Sequence, residues 1–439
     1  MLNQTFRIEC LFALGSLILL AGCENKKLTA PPPKAGVAAA SPTVPKVVET
    51  SSQEQVVQDS TNPPKAAEPA DSGSLADELA KKTYAANEDW PSFRGDGKST
   101  GVARTQLGDE LEVLWQFKVK NGAFEGTPAI VGGKQKTVYI GDLDGHLFAL
   151  DLDSGEERWK TKIGDIGFVT GPSFKDGRIF IGDLNGMFYA FDDQGKELWK
   201  YETMAEINSS ANFHGDNVIF GSQDTKLYAV DAESGKLAWE METADQVRCS
   251  VTIVEDKAFV AGCDGGLHIV NLKTGKEESS VDIQSPTGVT PAVMGDTVFV
   301  GTEQAGFYAI DWKLSTLDWS FATDAGISMR SSPAVTKGHV VFGAQDRTVY
   351  SLDPETGNEN WAESLMAKVD SSPVIVGDRV FVGSSDGRVY LLELETGEIV
   401  WEKQLNGGVL GSPGIAFGRV VVATDRGVVY CLGGKTESE

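Results

Sequence analysis

One pattern, Ala-x-Asp-x-x-Ser/Thr-Gly-x-x-x-Trp, returns about every forty residues along this chain. Ala149 to Trp159 reads ALDLDSGEERW and Ala229 to Trp239 reads AVDAESGKLAW. Ser351 to Trp361 reads SLDPETGNENW, and Leu391 to Trp401 reads LLELETGEIVW. A period of this length built from short β-rich runs implies a repeat architecture, most simply a β-propeller. Such folds are platforms, so the period constrains architecture far more than task.

Ser371 to Trp401 serves as the type unit. SPVIV, RVFVGS, RVYLLEL and EIVWEKQ are β-rich runs, separated by turn signals at Gly377-Asp378, Asp386-Gly387 and Glu395-Thr396-Gly397. Alternation such as Val380/Val382 against Phe381 gives each strand two faces. A single four-stranded sheet cannot bury both, so neighbouring units must stack on it. The Gly of the last turn suits a positive φ. The Asp caps backbone amides of that turn. The Trp supplies flat packing area between sheets and an indole N–H for a carbonyl.

Last strands end at Trp115, Trp159, Trp199, Trp239, Ser279, Trp319, Trp361 and Trp401, which predicts eight units. The segment 111–117, LEVLWQF, reads as a fourth strand with no third before it, and the final unit SPGIAFGRVVVATDRGVVYCL supplies three strands and stops. The expected fold is all-β: an eight-bladed propeller of four-stranded antiparallel blades, closed by the N-terminal strand so that no sheet edge stays open. The pattern breaks at Ser279, which stands for Trp, and at Ser315, which stands for Gly.

The hairpin motif resembles the tryptophan-docking motif of PQQ-type eight-bladed propellers, a superfamily that includes quinoprotein alcohol dehydrogenases and the BamB-like outer-membrane assembly lipoproteins. The resemblance covers 111–433. Trp90-Pro91-Ser92-Phe93-Arg94-Gly95 is also similar to the lead-in seen before many bacterial PQQ-like repeat domains. The dehydrogenase branch implies an adjacent Cys-Cys pair over the cofactor, calcium-binding carboxylates, an Asp base and long interblade insertions. This chain has no Cys-Cys pair and short, uniform interblade loops. The expectation is therefore no PQQ, no calcium and no catalytic residue, with a PQQ- or small-molecule-binding dehydrogenase or sensor using the axial funnel as the alternative.

The N-terminal apolar run LFALGSLILLAG ends at Leu20-Ala21-Gly22-Cys23. It has signal-peptide proportions and is short for a membrane span. Leu-Ala-Gly-Cys resembles a bacterial lipobox, which implies cleavage before Cys23 and lipid on its sulfur; a plain secretory signal is the alternative. Glu24, where Asp would favour inner-membrane retention, points to the outer membrane. Residues 23–88 are rich in Pro, Ala, Ser and Glu and poor in aromatics, a tether composition that cannot bury a core. The predicted organisation is signal 1–22, tether 23–88, lead-in 89–110, propeller 111–433 and tail 434–439. A net charge of −24, without a basic cluster, argues against nucleic-acid partners.

The search for chemistry yields little. Cys10 and Cys23 lie in the leader; Cys249, Cys263 and Cys431 fall in the propeller, with no CxxC and no haem motif. A two-residue turn at Glu255-Asp256 pairs 249 with 262 and sends Cys263 to the opposite face, against a disulfide unless a bulge intervenes. His146, His214, His268 and His339 lack metal-ligand spacing. Asp142 and Asp144 beside Gly145 read as repeat turns rather than a calcium loop. Gly97-Lys98-Ser99 lacks the first Gly and the βαβ context of a P-loop, and Arg94-Gly95-Asp96 reads as part of the lead-in. Trp312 is the spare aromatic that a carbohydrate- or peptide-binding module would use.

The remaining candidate is the central channel, lined by the starts of the first strands. Most of those residues are small, as crowding at an axis requires; Glu125, Arg248, Arg330 and Asp370 are not. They either pair with one another or hold a small anion or a partner's side chain. The functional expectation is a lipid-anchored, non-catalytic scaffold on the periplasmic face of the outer membrane, binding another envelope protein and similar to the BamB-like assembly factors.

Overall fold

A computed structural model describes residues 88–120, 122–164, 166–304, 306–322 and 328–434. The lipobox Cys23, the tether and the C-terminal tail lie outside the described residues. The chain forms eight antiparallel blades of a β-propeller. Seven are built from consecutive strands, from Ala129–Val131 through Glu157–Lys162 in blade 1 to Val374–Val376 through Ile399–Gln404 in blade 7. Blade 8 takes its three inner strands, Gly414–Ala416, Arg419–Ala423 and Val428–Gly433, from the C-terminus. Its outer strand, β2 (Glu112–Lys118), comes from the N-terminus. β2 pairs antiparallel with Val428–Gly433, Trp115 opposite Cys431. Ring closure thus rests on a strand far away in sequence, which covers the edge that Val428–Gly433 would otherwise expose and leaves β2 as the blade's outer edge.

Second and third strands are buried almost throughout, as in RVFVG (Arg379–Gly383) and RVYLLE (Arg388–Glu393). They pack between neighbouring sheets, which is why they read as near-continuous apolar runs. Fourth strands alternate half-buried with exposed. In every blade the register slips by one residue just before the docking position, for instance between Ala149 and Leu150, which face Trp159 and Glu157. Such a bulge re-aims a side chain locally; here it turns the Trp toward the next blade.

The docking geometry repeats. The indole nitrogen of Trp115 donates to Leu152 O at 2.8 Å, Trp159 to Asp193 O at 2.9 Å, Trp199 to Ala232 O at 3.1 Å and Trp239 to Leu272 O at 3.0 Å. Trp319 reaches Pro354 O at 3.0 Å and Trp361 reaches Leu394 O at 2.8 Å. Each acceptor lies in the last turn of the following blade, and each ring covers the Gly of that turn. A Cβ on Gly235, whose φ is +69°, would stand 2.6 Å from the Trp199 ring. Glycine is thus required twice over, by backbone and by the indole above it. Trp401 of blade 7 has no such hairpin to cover, because blade 8's third and fourth strands are not consecutive; it packs on the core instead. Trp312 packs edge-on to Phe259 at 5.5 Å and donates to Gly295 O at 3.4 Å, so the spare aromatic is part of the packing.

The two breaks in the repeat are one feature. Ser279 sits where blade 4 would carry its Trp, and Ser315, at φ +55°, sits where blade 5 would carry its Gly. Their hydroxyls meet at 2.8 Å. With no indole over the turn, a Cβ is tolerated there.

Candidate functional site: the axial cavity

The starts of the eight innermost strands surround the axis. Small hydroxyl residues there form a belt of backbone bonds. The amides of Gly171, Ser210, Ser250, Thr290, Ser332 and Ser372 donate respectively to the hydroxyls of Ser210, Ser250, Thr290, Ser332, Ser372 and Ser412, at 2.9–3.1 Å. Each of blades 2 to 7 therefore hands one hydrogen bond to the next. Where blade 1 meets its neighbours, bare backbone does the work: a Cβ on Gly171 would stand 2.5 Å from Thr127 O, and one on Gly411 the same distance from Glu125 O. Crowding explains part of the small-residue signal; the belt explains why it is Ser and Thr.

One end of the channel is closed by the lead-in, which contacts all eight blades. Innermost strands are sheet edges, with N–H groups that need acceptors when buried. Ile130 N donates to Trp90 O, Phe174 N to Pro91 O, Ile253 N to Gly97 O, Val293 N to Lys98 O, Val335 N to Thr100 O and Ile375 N to Gly101 O, at 2.7–3.0 Å. Asn212 Nδ2 in blade 3 donates to Gly97 O at 2.9 Å, and Gly418 N in blade 8 donates to Thr105 Oγ1 at 2.8 Å. The strap then adds β1 (Val102–Ala103) in parallel to Val374–Val376. At its centre Arg94, 1% exposed and at φ +63°, donates through Nη2 to Pro333 O at 3.0 Å and Pro373 O at 2.7 Å. Its Nε and Nη1 have no partner. Burial pushes its pKa down to about 9, against the pull of Asp96, so the guanidinium stays charged at neutral pH. Sequence reasoning treated this stretch as a lead-in outside the ring. Apart from the side chains of Arg94 and Thr105, its contacts to the inner strands are carried by backbone carbonyls, which leave no mark in residue identity.

Above the strap lies a cavity of about 170 Å³ floored by Phe93. Glu125, Arg248, Arg330 and Asp370 all line it, so the fold brings the four sequence candidates together. They do not pair with one another. Among the described residues no ion pair joins any two of them. Arg248 Nε donates to Gln246 Oε1 at 2.9 Å, and Gln345 Nε2 donates to Asp370 Oδ1 at 3.0 Å. Glu125, Arg248, Arg330 and Asp370 begin blades 1, 4, 6 and 7, and both Arg248 and Asp370 bond a neutral amide side chain instead of a charged one. Burial, reinforced by Asp425, raises the pKa of Glu125. Asn208, missed by sequence reasoning, also lines the cavity, with its Oδ1 buried and unpartnered.

The other candidates resolve into packing. Cys249, Cys263 and Cys431 are buried thiols outside any disulfide, and burial pushes Cys249 and Cys431 up to about 12. Asp142 Oδ1 accepts from the amides of Asp144 and His146, the turn role its spacing suggests. Among the described residues no group of three or more His, Cys, Asp or Glu is placed to hold a metal ion.

Eight four-stranded blades joined by docking tryptophans define the class, an eight-bladed tryptophan-docked propeller. A family model described as Outer membrane protein assembly factor BamB matches residues 109–251, 243–370 and 345–436, and the chain belongs to that family. Curated relatives carry the same description. The protein of Burkholderia pseudomallei is 29% identical over 128 residues, 28% of this chain and 32% of that one. That of Escherichia coli is 25% identical over 151 residues, 31% of this chain and 36% of that one. The matched stretches thus span about a third of the curated relatives' length. Among solved structures, BamB from Moraxella catarrhalis shares the fold at TM-score 0.64 and 18% identity, covering 75% of this chain and 99% of that one. A quinohemoprotein alcohol dehydrogenase from Comamonas testosteroni does so at 0.69 and 14%, covering 82% and 83%.

The dehydrogenase likeness raises the question of the quinone cofactor. The cavity does not fit it. At about 170 Å³ it is smaller than the roughly 300 Å³ at which pockets for drug-sized ligands begin.

Proposed function

We propose that this protein is a non-catalytic scaffold of the bacterial cell envelope, held to the outer membrane by lipid on Cys23, that docks another component of outer-membrane protein assembly. The observation that carries the reading is the family match, which runs through all eight blades from 109 to 436. Short, uniform loops and an axial cavity too small for the superfamily's quinone are consistent with it. The tether composition of 23–88 suits a platform that must reach a partner from a membrane anchor. The acidic surface would speed encounter with a complementary partner more than it would tighten the complex.

The test is deletion combined with crosslinking capture of the full-length protein from membranes. The expected outcome is recovery of an outer-membrane assembly component and reduced levels of outer-membrane barrel proteins in the deletion strain. Unchanged barrel levels with no such component captured would overturn the reading. So would turnover of alcohols or sugars on adding PQQ and calcium, abolished by Asp370→Ala.

A further inference from the structure

The axial cavity has three properties that the scaffold reading does not use. It is bordered by Phe93 of the strap, whose backbone is bonded to the inner strands around it. Its four charged side chains, two arginines and two carboxylates, line it without an ion pair between any two of them among the described residues. Its wall is lined by hydroxyls with spare capacity. The oxygens of Ser210, Ser250, Thr290, Ser332, Ser372 and Ser412 accept backbone N–H groups, while none of these hydroxyls donates to a described residue. A hydroxyl carries one donor besides its lone pairs, so a ring of O–H donors borders the cavity. Asn208 Oδ1 adds an acceptor without a partner.

The four charged side chains are half-buried and face neutral partners or none, so a ligand carrying the opposite charges can form charge-assisted hydrogen bonds with them. A simple anion would satisfy the arginines and hydroxyls but crowd Asp370 and Glu125. A simple cation would do the reverse. We propose that the cavity binds a small zwitterion, one carboxylate and one ammonium on a compact frame, of the class of free α-amino acids. The carboxylate lies toward Arg248, Arg330 and the hydroxyl belt, and the ammonium toward Asp370 and Glu125. The volume suits this class: a cavity of about 150 Å³ holds a molecule the size of benzene. The raised pKa of Glu125, caused by burial and then by Asp425, marks a carboxylate that gains from a nearby cation. The site is independent of the scaffold reading and survives its failure.

The experiment is calorimetric titration of the full-length protein in detergent with glycine, L-alanine, L-serine and L-glutamine. Acetate and methylammonium serve as half-ligands. The expected result is saturable binding of at least one amino acid, with both half-ligands weaker by about tenfold or more. Arg330→Ala and Asp370→Asn should each weaken it by about the same factor, and Lys175→Ala, outside the cavity, should leave it unchanged. Melting curves of the unliganded variants must overlay the wild type; if they do not, the conservative Arg330→Lys and Asp370→Glu replace them and are expected to bind more weakly. No saturable binding by any of the four amino acids would overturn the proposal. So would acetate binding as tightly as the amino acids in a protein indifferent to Asp370→Asn.

Discussion

At the scale of single residues, the Ser279–Ser315 contact ties two departures from the repeat into one interface. Placing Trp at 279 alone puts an indole over a turn that carries a Cβ, where glycine would be needed, so Ser279→Trp should destabilise the protein. Ser315→Gly alone relieves a left-handed residue but loses the 2.8 Å hydroxyl bond. The double variant rebuilds the docking pair of the other blades. A double-mutant cycle by chemical denaturation should give a favourable coupling of about 1–3 kcal/mol; additive effects would show that the two positions do not sense each other. His268 is a second singular residue. It occupies the place held by Tyr228 and Tyr350 in blades 3 and 6, whose hydroxyls reach Asp224 and Asp346. Its ring nitrogens lie 2.9 Å from Asp264 Oδ2 and 2.6 Å from Glu277 Oε2. Burial opposes its charge, but the two carboxylates outweigh it and raise its pKa. The stabilisation is therefore complete below the unfolded value of about 6.5 and fades as pH rises through the higher folded one. His268→Tyr should remove that dependence. Denaturation from pH 5.5 to 9 should show the wild type losing stability relative to the variant as pH rises.

At the scale of elements, two short segments hold the ring. β2 supplies the outer strand of blade 8 and Trp115, which caps the turn of blade 1. Trp115→Ala should cost about 3–5 kcal/mol. Deleting 111–118 should go further, exposing the edge of Val428–Gly433 and producing dimers or aggregates with a lowered melting temperature. A monomer with unchanged melting would refute closure by this strand. The strap from Trp90 to Thr105 works on the inner edges instead. It gives acceptors to N–H groups that eight converging strands cannot offer one another, because each edge faces the axis rather than a neighbour.

At the scale of the whole molecule, the full chain carries a net charge of −24, and the proposed membrane attachment rests on Cys23, far from the propeller in sequence. Cys23→Ser should move the protein from the membrane to the soluble periplasmic fraction, or leave an uncleaved precursor. Mass spectrometry of the mature wild type showing unmodified Cys23 would refute lipidation.

Blade number, strand order within a blade and the docking role of Trp199 or Trp361 were legible in the sequence, because each is set by residues within one repeat or the next. Periodic Gly, Asp and Trp report local turns and the packing of adjacent sheets, and those constraints recur at every unit. Only the tertiary structure decided how the axis is furnished. Which arc Arg248, Arg330, Asp370 and Glu125 occupy depends on their angular positions around the ring, a property of closure rather than of spacing. The hydroxyl belt needed side chains about forty residues apart to meet backbone amides. The strap's function was invisible because backbone carbonyls perform it, and any sequence able to follow that path would present the same atoms.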